Sequence, residues 1–242
     1  DRILRRPFSI SDADPEAGTL TLVYKIVGHG TEELSRMRPG EHCLILGPLG
    51  RPYSTPRKGI RPILVAGGYG SAATYLLAKR CPEKGVLLLG ARSDADLILI
   101  DDYERLGFEV RIATNDGTVG HRGFVTELLE DALAADRKAC FAYGCGPEPM
   151  LLALGKKALS LGVGAELSLD QHMCCGVGAC FALSLQAGGV LCGGQRRSGV
   201  AGGLGHGHAA VVGAFQMILC LVHRNAAQPG LFRARRTAFH MQ

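Results

Sequence analysis

The chain has 242 residues, 47% of them hydrophobic, with mean hydropathy +0.14, which excludes a disordered segment and allows one large or two small packed domains. The formal charge of +5 does not mark a nucleic-acid binder: residues 1–182 hold 21 Lys+Arg against all 22 Asp+Glu, and the excess lies in 183–242, which has six Arg and no Lys, Asp or Glu. No apolar run approaches the ~20 residues of a membrane helix, the longest late one being VVGAFQMILCLV at 211–222.

Nine cysteines without an export signal fit a reducing compartment, so a cytoplasmic protein is expected, with clustered thiols serving metal or redox chemistry. The sequence opens on Asp1 rather than methionine, a few residues before functional-looking sequence, so an N-terminal piece is expected to be absent.

Residues 1–60 are read as β-rich. RRPFSIS (5–11) is a strand start with basic flanks, in which Arg6 can pair with phosphate and Ser9 can reach a ring. TLTLVYKIV (19–27) alternates as a strand, and the following GHGT (28–31) is either an ordinary hairpin turn or a set of N–H groups, with a Thr31 hydroxyl, for an anion. GEHCLILGPLG (40–50) is a second apolar run closed by glycines and proline. No helical period interrupts this region.

From Arg61 the pattern changes. Short apolar runs, PILVAGG, GVLLLGA, FEVRIAT, KACFAYG and GAELSL, alternate with helical stretches, SAATYLLAKR, a segment around DDYERLG, RGFVTELLEDALAA and EPMLLALGKKALSLG. Five strands separated by helices predict a parallel, doubly wound sheet, whose ligands bind beyond the carboxyl ends of the strands. The first strand ends in AGGYGSAA, where Gly67, Gly68 and Gly70 either let a pyrophosphate approach a helix N-terminus or serve tight packing. The fourth ends in YGCGPEPM, a turn that starts another helix on the same edge. Cys145 there is either a buried thiol or a contact for a nicotinamide ring. Arg92 and Asp94, after the second strand, pull opposite ways on a 2′-phosphate.

HMCCGVGACFALS (172–184) spaces Cys175 and Cys180 as the first two ligands of a plant-type [2Fe–2S] loop, C-x4-C-x2-C, with Gly176 and Gly178 between them. A zinc site or unligated thiols is the other reading. The third ligand position holds Leu183. Sixty acid-free residues follow in a chain whose body has about one acid in eight, an outcome of roughly one in two thousand by chance. The expectation is a shifted reading frame after about Ala182; a divergent Gly-rich extension is the alternative.

The motifs RPFS, YKIVGHGT, GPLG, GGYG, CGPEPM and CGVGAC, in this order from about Arg5 to Ala182, resemble the electron-transfer subunits of two-subunit bacterial dihydroorotate dehydrogenases, within the ferredoxin reductase-like flavoproteins. The resemblance implies an FAD-binding β-barrel, truncated to 1–60 in this chain, an NAD-binding α/β domain over the five-stranded parallel sheet (61–170) and a C-terminal iron–sulfur loop (171–182); the atypical tail (183–242) lies outside it. It implies FAD held by Arg6, Pro7, Phe8, Ser9, Val23, Tyr24, Lys25, Gly30 and Thr31, and NAD at Gly67, Gly68, Gly70, Cys145, Gly146, Pro147 and Glu148. A [2Fe–2S] cluster would be ligated by Cys175 and Cys180. The implied partner is an FMN-containing dihydroorotate dehydrogenase catalytic subunit in a heterotetramer of pyrimidine biosynthesis. Three features depart from that pattern: barrel strands before RPFS are missing, Ala73 replaces a usual proline, and Leu183 replaces the third ligand. The alternatives are the reductase subunit of a sulfhydrogenase or of an NADH-dependent ferredoxin:NADP oxidoreductase, or a non-catalytic truncated remnant.

Overall fold

The computed structural model describes residues 5–50, 52–133 and 137–169, together with five short backbone strands beyond them. The first sixty residues give β1 (Arg6–Ser9), β2 (Asp12–Asp14), β3 (Thr19–Tyr24), α1 (His29–Ser35) and β4 (Leu44–Leu49). β3 follows its period of two: Leu20, Leu22 and Tyr24 turn inward onto a cluster with Ile10, Leu34 and Leu76. The expected helix-free stretch is corrected by α1. Its seven residues bury only Leu34, so no apolar stripe announces it; Thr31 closes its first turn, taking N–H groups of Val27 and Gly28 and donating to Gly28 O at 2.8 Å.

From residue 61 come β5 (Arg61–Gly67), α2 (Gly70–Arg80), β6 (Val86–Ala91), α3 (Ile100–Arg105), β7 (Glu109–Thr114), β8 (His121–Arg122), α4 (Leu129–Ala132), β9 (Cys140–Cys145), α5 (Glu148–Ser160) and β10 (Gly164–Leu169). All five expected strands form and pair in parallel, in the order β10-β9-β5-β6-β7. Helices cover both faces, so the central runs Ile63 to Ala66 and Val86 to Leu89 are fully buried without alternation. One hydrophobic cluster lies under α2 and α3, the other under α4 and α5. The helix expected over 122–135 is shortened to a 3-10 turn at Val125–Leu128 and a single α turn, α4. Phe124, extended at φ −98° and ψ 139°, delays its start.

The remaining strands are β11 (Leu185–Ala187), β12 (Val190–Cys192), β13 (Ala209–Gly213), β14 (Met217–Leu221) and β15 (Arg235–His240). β13 and β8 extend the sheet to seven strands rather than the expected five. β8 is two residues long and β13 pairs only along β10; neither is long enough to leave a period. The strands of the first sixty residues fall into two three-stranded sheets, β1-β14-β4 and β15-β3-β2. The 183–242 segment, read from its sequence as aperiodic, thus contributes edge and central pairings. The loop of Cys175 and Cys180 lies outside the described residues.

Candidate functional site

The parallel sheet reverses direction between β5 and β9: the chain runs outward from β5 through β6 to β7, then returns to lay β9 on the other side of β5. At that switch point the loops after β5 and β9 leave in opposite directions and open a crevice. The 67–70 and 145–148 turns meet there. A Cβ on Gly67 would lie 2.6 Å from Pro147 Cδ, and one on Gly70 would lie 2.7 Å from the Cys145 carbonyl carbon and 3.3 Å from Gly146 N. Gly67 and Gly70 are therefore demanded by turn-to-turn packing. Gly68 differs: its φ is +53°, and a Cβ there would meet nothing within 4 Å.

That open face lies at the start of the eleven-residue α2, the positive end of its dipole, where Ser71 N donates to Gly68 O at 3.3 Å and Ala72 N to Tyr69 O at 3.1 Å. The helix-dipole end and the open space at Gly68 fit a dinucleotide pyrophosphate. Cys145 is a partly exposed thiol at the end of β9. Glu148 opens α5, an acid in the first turn as the helix dipole favours.

A second set of side chains converges from the first sixty residues. Arg6, at the start of β1, lays its side chain across Gly30, where a Cβ would come within 3.1 Å of Arg6 Nε. Phe8 packs edge-on against Tyr24 at 5.4 Å between centroids. Arg6, Pro7, Phe8 and Ser9 share β1, Val23 and Tyr24 end β3, and Gly30 and Thr31 sit in the first turn of α1. A guanidinium over a glycine beside a helix start suits an anionic group, so the chemistry of these donors fits the phosphates of FAD. The Thr31 hydroxyl proton already goes to Gly28 O, so its part is to shape the turn.

Lys25 joins the two sets. Its Nζ lies 3.2 Å from Asp96 Oδ1 in the loop after β6. Burial raises the Tyr69 phenol above its ordinary value, Lys25 pulls it down and Asp96 pushes it up, so Tyr69, within the GGYG turn, sits beside that pair. Neither Tyr69 nor Asp96 is singled out by strand and turn patterns in the sequence.

The edge is extended by the loops after β6 and β7. Asp94 N donates to Thr118 Oγ1 at 3.1 Å, Asp116 N to Arg92 O at 3.2 Å, and Thr118 Oγ1 to Asp116 Oδ1 at 2.7 Å. The Thr118 backbone N–H, donating to the same Asp116 oxygen at 3.0 Å, and the Thr118 hydroxyl hold the exposed Asp116 carboxyl below its usual range. The signal for this loop was NDG at 115–117, a turn sequence at a strand end.

No family model matches the chain. Over 189 residues it is 37% identical to the protein named dihydroorotate dehydrogenase B (NAD(+)), electron transfer subunit, of Fusobacterium nucleatum, a match spanning 75% of this chain and 71% of that one. Proteins of the same name from Shouchella clausii and a Geobacillus species are 40% and 42% identical, each match covering 75% of this chain and 70% of the relative. A solved structure described as an NADH-dependent reduced ferredoxin-NADP oxidoreductase, in a study of flavin-based electron bifurcation, is similar with a TM-score of 0.64 and 31% identity. That likeness covers 74% of this chain and 68% of the other.

Proposed function

This chain belongs to the family of electron-transfer subunits of NAD-dependent dihydroorotate dehydrogenase B, with a ferredoxin reductase-like fold, and from that premise we propose how its residues divide the work. It is an NAD-linked oxidoreductase subunit. In our reading residues 1–60 hold FAD and residues 61–170 hold NAD. Arg6 offers its guanidinium to the FAD phosphates, Thr31 shapes the turn beneath them, and Phe8, Ser9, Val23, Tyr24 and Lys25 line the approach to the ring. Gly68 and the start of α2 take the NAD pyrophosphate, while Cys145, Gly146, Pro147 and Glu148 face the nicotinamide.

The observation that carries this reading is the meeting of the 67–70 and 145–148 turns at the switch point, with Lys25 reaching Asp96 alongside. A flavin bound there supplies the conversion between hydride transfer and single-electron transfer. The chain's own residues would hold the two bound groups beside one another for that transfer.

The name of the family implies a catalytic partner. We infer that this partner is an FMN-containing subunit oxidising dihydroorotate to orotate, joined in a heterotetramer. Cys175 and Cys180 would contribute thiolates to a [2Fe–2S] loop facing it, but two thiolates fill only half of the four protein positions, and Leu183 stands at the third. The residues present do not fit a complete cluster. The foreign composition of 183–242 supports a shifted reading frame as the cause. A second reading, the reductase subunit of a ferredoxin-NADP oxidoreductase, is favoured only by the structural likeness.

The test is flavin retention. Arg6→Ala is expected to lose most of its FAD during purification, whereas Arg57→Ala, at an exposed linker position, keeps the parent content; equal flavin in both would count against the assignment of the first sixty residues.

A further inference from the structure

Among the described residues Glu166 is the one carboxylate in the buried set, 4% exposed in the middle of β10. Its surroundings are a linker. Ser54 N donates to Glu166 Oε2 at 2.8 Å and Ser54 Oγ to Glu166 Oε1 at 2.6 Å. Both carboxylate oxygens are thus taken by one residue of the segment that leads from β4 to β5. The preceding residue, Tyr53, is 5% exposed and donates its hydroxyl to Gly144 O at 2.6 Å. Its ring stands edge-on to Tyr143 at 5.3 Å. Consecutive linker residues are therefore tied to the adjacent strands β9 and β10, one residue short of Cys145.

Other links between the first sixty residues and the sheet are softer. Lys25 to Asp96 and Lys79 to Asp12 are partly exposed ion pairs, each worth about 0–1 kcal/mol. Leu76 joins the cluster around β3, but apolar contact has no direction and tolerates sliding. The Glu166 contact is directional, and its carboxylate is buried although Ser54 itself is exposed. A buried carboxylate is a costly anchor, and a packing role alone would be met by an apolar residue, as the neighbouring Ala165 and Leu167 show.

We infer that Glu166 is a positioning residue for the transfer between the two candidate sites: through Ser54 it fixes the linker beside the Cys145 turn, and so sets how the strands of 1–60 stand over the nucleotide edge. The inference rests on the functional reading above. The step concerned moves a hydride, two electrons and one proton, from NADH to the FAD ring or back to NAD+, and its rate depends steeply on the spacing and angle of the two rings, because a displacement near 1 Å can cost about 10²-fold.

The experiment follows bleaching of the flavin absorbance after rapid mixing of NADH with the FAD-loaded full chain, using Glu166→Ala, Glu166→Gln, Ser54→Ala and Ser54→Thr. Glu166→Ala is expected to keep its flavin and its KM for NADH within about twofold, and to lose at least about tenfold in the reduction rate at saturating NADH. Ser54→Ala, which keeps the N–H donor and changes an exposed residue, is expected to fall part of the way, and Ser54→Thr to return to the parent rate. Glu166→Gln, with one oxygen acceptor left, is expected to fall between parent and Glu166→Ala. Should Glu166→Ala fail to fold, the Ser54 pair decides alone. Reduction rates within twofold of the parent in the folded variants, or equal losses in Ser54→Ala and Ser54→Thr, would overturn the inference even if thermal stability dropped. A parent chain loaded with FAD that NADH does not bleach would defeat the functional reading itself, and this inference with it.

Discussion

Replacing Gly70 by alanine puts one methyl group where the two turns of the candidate site touch. That methyl would lie 2.7 Å from the Cys145 carbonyl carbon, closer still to its oxygen, and 3.3 Å from Gly146 N. Carbon atoms rest at about 3.5–4.0 Å, and the atoms in the way are backbone, so no rotamer change relieves the clash. The 145–148 turn must retreat by roughly 1 Å. Overpacking of this kind costs about 1–3 kcal/mol. Alanine in the first turn of α2 returns at most ~1 kcal/mol of helix propensity, so the steric term wins. A net loss of about 1–2 kcal/mol lowers the melting temperature by about 2–8 °C in a chain of this size. The same retreat carries the Cys145 edge away from the 67–70 turn, with an expected loss of up to about 10²-fold in NADH-dependent reduction of ferricyanide by the FAD-loaded protein. Gly162→Ala is the control. Gly162 has φ +67° and open space around a Cβ, so alanine there carries about 1–2 kcal/mol of backbone strain at the far end of α5 and is expected to lower the melting temperature without touching the rate. If Gly70→Ala melts like Gly162→Ala and retains the parent rate, the crevice is not where the nucleotide reacts.

Alkaline stability is a further expectation. Burial pushes the Cys81 thiol from 9.0 up to about 11, with Lys84 opposing, so the unfolded chain gives up this proton first. Stability from the group is full below about pH 9 and is lost as pH rises toward 11. The urea midpoint should fall over that window, and Cys81→Ala should flatten the fall; an unchanged slope would place the loss elsewhere. The buried Tyr53, Tyr103 and Tyr143, also pushed up by burial, extend the decline to higher pH. Iron content tests the cysteine loop: the present chain is expected to bind iron poorly, Leu183→Cys to give at most a labile centre, and the corrected reading frame after Ala182 to give a brown protein. Stoichiometric iron and acid-labile sulfide in the unmodified chain would refute the frameshift.

The parallel sheet was legible because its central strands are continuous apolar runs closed by glycine, and the longer helices α2 and α5 carry enough residues to show a period. α1 was not, since HGTEELS has one buried residue. The late start of the helix expected over 122–135 was hidden because Phe124 looks like a helix member while its backbone is extended. The convergence of the 67–70 and 145–148 turns followed from the strand–helix alternation, which puts both turns at the carboxyl edge of a parallel sheet. The tie of Ser54 to Glu166 did not, because it crosses 112 residues of chain. Its trace was a glutamate inside GAELSL, a charge where the strand is otherwise apolar.

The pairing of β5 with β9 also has a history in time. The Gly67 turn is made early in synthesis, yet its other half, the Cys145 turn, arrives only after β6, α3, β7, β8 and α4 have left the ribosome. A pairing that spans so much chain closes a large loop before any contact rewards it. A nascent or prematurely terminated product therefore carries the glycines of the crevice but not its opposite wall. It exposes the edge of β5, a row of unpaired backbone groups flanked by the apolar run Ile63 to Ala66, which is the part of this molecule most open to association with other unfinished chains.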